Sequence, residues 1–228
     1  MRVLALETST LRGGVALLDG EEVIAEVVSD LGGEASRRLL PDVDAALAEA
    51  GWALRDLGLI AVSLGPGSFT GLRVGMATAK GLAWAAELPL AGVSSLEVLA
   101  AAAKSAPSAG GLISSVLDAR RDEVYGALFR TTGNGSLGER LLPDSVEVPE
   151  QWAAHVLAAA GGEPVTVLGT GATRYSDVLP PGPGQPEHPP PSALARRALL
   201  AFREGRTLDP RSAVPNYVRS HGASPRGA

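Results

Sequence analysis

Cysteine is absent from the 228 residues, which excludes a disulfide framework, a thiolate nucleophile and a cysteine-ligated zinc. Histidine is nearly absent. His155, His188 and His221 are scattered, with no His-x-x-x-His pair and no acid at ligand spacing, so a zinc or protease centre lacks convergent ligands. No histidine lies where it would activate Ser9, Ser68 or Thr70 as nucleophiles; these read as helix caps and backbone partners. An excess of basic residues is missing too. With a formal charge of −5, strong autonomous binding to nucleic acid is not expected, because phosphate contacts need clustered Lys and Arg. The opening run Met1 to Glu7 is too short for a signal peptide or a membrane span, and the expected compartment is the cytoplasm.

What is present is an ordinary globular composition, 45% hydrophobic and 20% charged, in a chain long enough for one domain or two small ones. Arginine far outnumbers lysine, a bias read as genomic base composition. The most informative run is Gly65-Pro66-Gly67-Ser68-Phe69-Thr70-Gly71-Leu72-Arg73-Val74-Gly75. The apolar strand Leu59 to Leu64 enters it and an Ala/Gly-rich helix, Leu72 to Ala86, leaves it. Pro66 restricts φ, while the flanking glycines permit the sharp turn from strand to helix. Gly71, Gly75 and Ala79 then recur every four residues, placing minimal side chains on one stripe where another backbone can approach. The rest of that helix is apolar nearly all round, with Arg73 and Lys80 on one edge, so a second buried face and hence a partner are expected.

Around this run the spacing predicts strands at Val3 to Glu7, Gly14 to Leu18 and Val23 to Val28, with Asp19-Gly20 as a hairpin turn. A helix follows through Leu39, Val43, Leu47 and Ala50, stopping at Gly51; Pro41 either starts or kinks it. Leu90 to Val93 is a strand, and Ser94-Ser95-Leu96-Glu97 offers a capping box for a helix through Ala103. After the linker-like Lys104 to Gly111 the opening pattern recurs. Strands at Leu112 to Leu117, Val124 to Phe129 and Leu137 to Leu142 lead to a helix at Trp152 to Ala160, a strand at Val165 to Leu168 and the turn Gly169-Thr170-Gly171. Gly133-Asn134-Gly135 supplies a turn between two of those strands, Pro180 to Pro191 reads as a surface loop, and Ser192 to Glu204 as an arginine-studded helix closed by Gly205. Two similar halves suggest a duplicated α/β unit with a cleft between the copies.

Four pieces of the chain carry a family resemblance. They are Leu4-Ala5-Leu6-Glu7-Thr8-Ser9-Thr10, the Gly65 to Gly75 run, Asp118-Ala119-Arg120-Arg121-Asp122-Glu123-Val124-Tyr125, and the ending Pro215-Asn216-Tyr217-Val218-Arg219. Together they resemble the TsaB family, diverged members of the actin-like ATPase superfamily formerly labelled glycoprotease-like. The resemblance is dense to about residue 130, thin through the proline-rich region, and returns near the end. It implies an α/β fold of two tandem actin-like ATPase (ribonuclease H-like) subdomains with mixed five-stranded sheets flanked by helices. The expected division is 1–106, carrying the partner-binding helices, and 107–228, with a terminal segment packing back on the first.

The resemblance also implies a role. It is that of a non-catalytic dimerisation subunit, paired with the catalytic paralogue TsaD and joined by the ATPase TsaE. The complex transfers a threonylcarbamoyl group from threonylcarbamoyl-AMP to the adenosine beside the tRNA anticodon. The pairing surface maps to the helices at about 34–50 and 71–86, hence to Leu39, Leu40, Val43, Leu47, Gly71, Leu72, Val74, Gly75, Met76, Ala79 and Leu82. A homodimer is expected when the paralogue is absent, and tRNA contact only through the complex. No cofactor of its own is expected; ATP or ADP would sit at the complex interface, with Thr8, Ser9, Gly67, Ser68 and Gly171 as nucleotide-contact candidates.

Two departures count against catalysis. Superfamily members usually end the first strand on Asp, and this chain has Glu7; where the paralogue places metal-binding histidines it has Glu34-Ala35-Ser36. The Gly65 to Gly71 loop lacks the lysine of a P-loop and ranks as structural first, partner-facing second and phosphate-binding third. Glu7 and Asp118 could form a carboxylate pair, but strand-end acids bonded to turn amides and to Arg120 or Arg121 are the more economical reading. Arg120, Arg121, Arg196 and Arg197 read as solvated or internally paired before RNA contacts, and Trp52 and Trp84 as packing residues. The alternatives are an autonomous small-molecule kinase or ATPase of the same superfamily and, least supported, a metallopeptidase.

Overall fold

The computed structural model describes residues 1–32, 34–103, 110–132 and 137–219. Most of the expected linker and the expected turn at 133–135 lie outside the described residues, as does His221. The first sheet is built from β1 (Arg2–Glu7), β2 (Arg12–Asp19), β3 (Glu22–Asp30), β4 (Leu59–Gly65) and β5 (Leu90–Ser94), in the order β3-β2-β1-β4-β5. β1, β2 and β3 form an antiparallel meander, with Gly20 at positive φ between the last two. β4 and β5 run parallel to β1, each reached through a helix.

Both faces of this sheet are covered, which explains why β1 and β4 read as continuous apolar runs. On one face Leu4, Leu6, Val15, Leu17, Ile60 and Val62 meet Leu39 and Val43 of α1 (Ala35–Ala50) and Met76 and Ala79 of α2 (Phe69–Ala85). On the other, Val3, Ala5, Ala16, Leu18, Leu59 and Ala61 meet Leu194, Ala198 and Leu199, which belong to a helix from near the end of the chain. Pro41 lies inside α1, so it does not start the helix, and Gly51 closes it in a left-handed conformation. Ser68 caps α2 by accepting from the Gly71 amide at 3.3 Å.

The second sheet comprises β6 (Leu112–Arg120), β7 (Glu123–Thr131), β8 (Leu137–Glu147) and β9 (Val165–Leu168), in the order β8-β7-β6-β9. The meander and the parallel crossover through α4 (Pro149–Ala160) repeat the first half. Among the described residues the second sheet therefore has four strands where five were expected. After β9 come the short helix α5 (Thr170–Arg174) and a proline-rich stretch that lies beside β9 through one backbone bond, Gly182 N–H to the Val167 carbonyl at 2.8 Å, and whose prolines lack the donors of a continuous ladder. The chain then enters α6 (Pro191–Arg203), which packs on β1, β2 and β5 of the first sheet.

Between β5 and β6, α3 (Ser95–Ala101) also meets β6, and an ionic network ties the halves together there. Arg197 donates to Glu97 at 2.6 Å, Arg140 bridges Glu97 at 3.1 Å and Asp144 at 2.5 Å, and Ser94 donates to Asp144 at 2.8 Å. The capping box is consequently only half formed. Ser94 accepts weakly from the Glu97 amide at 3.4 Å, but the Glu97 carboxylate turns to the arginines. Among the described residues no helix is long and apolar enough to cross a membrane.

Candidate functional site

Two features stand out as places where this fold can act: the outer face of α2 and the cleft between the halves. The inner face of α2 is fully committed. A Cβ on Gly71 would lie 2.1 Å from the Thr8 carbonyl oxygen, and one on Gly75 would lie 2.2 Å from Thr8 Oγ1. The close approach that this stripe permits is therefore to the chain's own β1–β2 connection. Beside it Leu72, Met76, Ala79 and Ala83 are buried.

The opposite face is open. Ala77, Gly81 and Ala85 are exposed, a Cβ on Gly81 would meet nothing within 4 Å, and Trp84 is 64% exposed. On the neighbouring helix Leu40 is 50% exposed. The segment after α6 borders this face without covering it. Lys80 donates to the carbonyls of Arg211 and Ala213 at 3.3 and 3.0 Å, and the Asn216 amide donates to Leu64 at 2.7 Å. Tyr217 lies 5.4 Å from the Phe69 ring and accepts from Arg73, while Arg211 sits over the Trp84 ring.

The cleft, about 430 Å³, is walled by Ser9, Thr10, Gly67 and Ser68 from the first half and by Asp118, Arg120, Arg121, Tyr125 and Thr170 from the second, with His188 and Arg219 closing it. Its two strand-end acids do not form a reactive pair. Glu7 is fully buried below Ser9, whose amide and hydroxyl donate to it at 2.7 and 2.5 Å. Burial, the larger influence, pushes its carboxyl up to about 7 against the pull of those bonds. Asp118 accepts from the Arg120 amide at 2.9 Å and lies within 3.9 Å of the Arg120 guanidinium and 3.6 Å of Arg174. His188 meets Thr10 at 3.0 Å, and burial holds its imidazole below the ordinary range. No group of three or more His, Cys, Asp or Glu that could hold a metal occurs among the described residues.

Of the expected interface residues, Leu39, Val43, Leu47, Gly71, Leu72, Gly75, Met76 and Ala79 are buried in the chain's own core and cannot form a surface. Leu40 is exposed, and Val74 and Leu82 are partly so. The reason is one of phase: each helix spends its most regular apolar stripe on its own sheet, leaving the side between the stripes for anything else. Ala77, Gly81 and Trp84 were absent from that expectation, and the expected packing role of Trp84 is corrected by its exposure. Their signal was the run of small and apolar residues beside Arg73 and Lys80 on the second side of α2. Among the nucleotide-contact candidates, Ser9, Gly67 and Ser68 line the cleft. Thr8 is buried against Gly75, and Gly171 is buried with its Cα against Val116 and Leu117, so neither reaches it.

The model of the family described as "TsaD: tRNA N6-adenosine threonylcarbamoyltransferase" matches residues 30–161. The chain is 35% identical over 227 residues to the tRNA threonylcarbamoyladenosine biosynthesis protein TsaB of Bacillus subtilis (strain 168), covering 96% of this chain and 94% of the other. To the protein of the same name in Escherichia coli (strain K12) it is 36% identical over 230 residues, covering 98% and 96%. Among solved structures, YeaZ from Pseudomonas aeruginosa superposes with a TM-score of 0.77 at 29% identity, covering 95% of this chain and 100% of that one. A second structure, described as similar to peptidase YEAZ and from the same organism, gives 0.80 at 30%, covering 96% and 99%.

Proposed function

This chain belongs to the TsaB family, and on that premise we propose that it is the non-catalytic dimerisation subunit of a tRNA threonylcarbamoyladenosine complex, pairing with a TsaD-like paralogue. A TsaE-like ATPase joins the pair, tRNA is met through the assembled complex, and ATP or ADP sits at the complex interface.

The observation that carries this reading is the open outer face of α2, where Ala77, Gly81 and Trp84 stay exposed beside Arg73 and Lys80 on a helix whose other side is already filled. Small residues there let a second helix approach closely, and a large exposed aromatic is the kind of anchor that dominates an interface. Catalysis by the chain itself is disfavoured by the state of its acids. Glu7 is sealed beneath Ser9, and Asp118 is engaged by Arg120 and Arg174. Neither is available to orient a metal–nucleotide or activate an attacking oxygen.

Calorimetric titration of the purified chain with its TsaD-like paralogue tests the proposal. Association with a Kd of about 1 µM or tighter is expected; no heat of binding at tens-fold higher concentration overturns it. Light scattering on the chain alone is expected to give a homodimer through the same face, because paralogues share helix geometry. Sustained Mg²⁺-dependent ATP hydrolysis by the chain alone, abolished in Glu7→Gln, would instead promote the autonomous kinase or ATPase reading.

A further inference from the structure

α6 covers the face of the first sheet opposite to the one that α1 and α2 cover, so its outer side stays free when α2 is occupied. That outer side carries Ala193, Arg196, Leu200 and Arg203 at helical spacing, and this stripe is one wall of a groove of about 530 Å³. Ala101 and Ala102 at the end of α3 and Leu137 at the start of β8 line the rest of it. The groove shares no lining residue with the cleft between the halves.

Its lining joins apolar surface to unspent positive charge. Leu200 is 40% exposed between Arg196 and Arg203 on the helix. Arg196 is exposed and has no ion-pair or hydrogen-bond partner among the described residues. Arg203 reaches Glu21, the one carboxylate in the lining, only at 3.9 Å, with both side chains more than half in solvent, and such a pair contributes little. The neighbouring Arg197 behaves differently: it is spent internally, donating to Glu97 at 2.6 Å. On a chain of net charge −5 the two free guanidinium groups are a local feature and not part of a general basic surface. They stand seven residues and thus two helical turns apart, about 10.5 Å along α6.

We propose that this groove receives an acidic amphipathic helix of a partner protein, with two carboxylates seven residues apart meeting Arg196 and Arg203 and an apolar side chain between them over Leu200. A helix matches the stripe in period, because its residues i, i+3 or i+4, and i+7 share one face. The small side chains of Ala101, Ala102 and Ala193 let its axis come close. Arginine suits such a rim: its stem covers apolar surface while its head pairs bidentately with a carboxylate. A nucleic-acid strand would use the two cations but leave Leu137, Leu200 and the alanines unmatched, since phosphates call for clustered charge and not an apolar floor. This proposal does not rest on pairing through α2.

The test is titration of the full chain, followed by amide chemical shifts, with a capped alanine- and glutamine-based helical peptide of about 18 residues. The peptide carries two Glu seven residues apart with Leu midway on the same face; a second peptide has Lys in place of both Glu. Saturable shifts at the amides of Ala101, Ala102 and Ala193 to Arg203 are expected with the Glu peptide, with a Kd of about 1 mM or below, and none that saturate by about 10 mM with the Lys peptide. Because Arg196 and Arg203 are exposed, the double variant Arg196→Glu, Arg203→Glu should keep its melting temperature while the order of the two peptides reverses. Leu200→Gln should weaken the Glu peptide at least about threefold without changing that order. The proposal is overturned if the two peptides bind alike or the double variant keeps its preference for Glu. It is overturned equally if a single-stranded RNA trinucleotide binds these amides more tightly than the Glu peptide, which would give the arginines to phosphate. Shifts at the same amides that grow with the concentration of the chain alone would give the groove to a second copy and overturn it too.

Discussion

The two faces of α2 are made of nearly the same material and do opposite things. Inward, Gly71 and Gly75 leave room for Thr8, and the chain fills that room itself. Outward, Ala77, Gly81 and Ala85 leave room of the same kind, and the described residues do not fill it at Gly81. A small-residue stripe thus marks close approach without saying to what. The difference lies in what surrounds it: Leu72 and Met76 seal the inner stripe into the core, whereas Trp84 stands beside the outer one in the open.

The strongest way to break this comparison is Gly75→Leu. A side chain there must displace Thr8, which sits within about van der Waals overlap of any Cβ, and buried overpacking of this kind costs about 3 kcal/mol or more. Urea denaturation of the isolated chain should show that loss. Weakened pairing with the monomer's stability unchanged would mean that the inner stripe is not internal.

Glu7 gives the inner side a pH signature that the outer side lacks. Its carboxyl titrates near 7 in the folded chain against an ordinary 4.5. Below about 4.5 folded and unfolded chains both hold the proton, so ionisation takes nothing from stability. Between there and about 7 the unfolded chain releases its proton while the folded chain keeps it, and stability falls as pH rises. Above about 7 the loss is complete. Glu7→Gln keeps an acceptor for the Ser9 amide and hydroxyl and removes this dependence. It should stabilise the protein by about 2 kcal/mol at pH 8 and little at pH 4.5, read from urea melts at the two values. An equal gain at both would show that burial is not what raises this carboxyl.

Trp84→Ala probes the other face. Since 64% of the residue is already in solvent, monomer stability should change by less than about 1 kcal/mol, while affinity for the paralogue or for a second copy falls roughly tenfold. Calorimetry and sedimentation distinguish the two quantities. Loss of stability without loss of affinity would put the docking surface elsewhere.

How far the sequence reaches can be argued from particular elements. The strands were legible because continuous apolar runs such as Leu59 to Leu64 and the Asp19-Gly20 turn signal are local. The small-residue helix was legible for the same reason. Its orientation was not, because a helix apolar nearly all round has no phase to read, and only Thr8, 67 residues before Gly75, fixes which side is inside. The β6–β7 turn escaped notice because Arg121-Asp122 carries none of the glycine or asparagine that such a turn normally shows. The half-formed cap of α3 was hidden for a similar reason. Glu97 has the right spacing for a capping box, but Arg140 and Arg197, far along the chain, compete for its carboxylate. The cleft was anticipated as a consequence of duplication. Its basic lining was not, since Arg219 and Arg121 meet there only in three dimensions.

The smallest predicted effect sharpens the comparison furthest. Gly81 is a glycine in the interior of a helix, where it costs about 0.5–1 kcal/mol relative to alanine. Nothing within 4 Å would oppose an added methyl group. In the isolated monomer Gly81→Ala should therefore stabilise by up to about that amount, and a helix serving only its own fold has no reason to forgo the gain. If the outer face receives a second helix at close range, the same methyl must meet that helix, and affinity should fall by a few-fold while the melting temperature of the monomer rises. The opposite signs are the point. At Gly75 a larger residue harms the fold, whereas at Gly81 it should favour the fold and harm the assembly. A gain in both stability and affinity at Gly81 would leave the outer face without a close-packed partner.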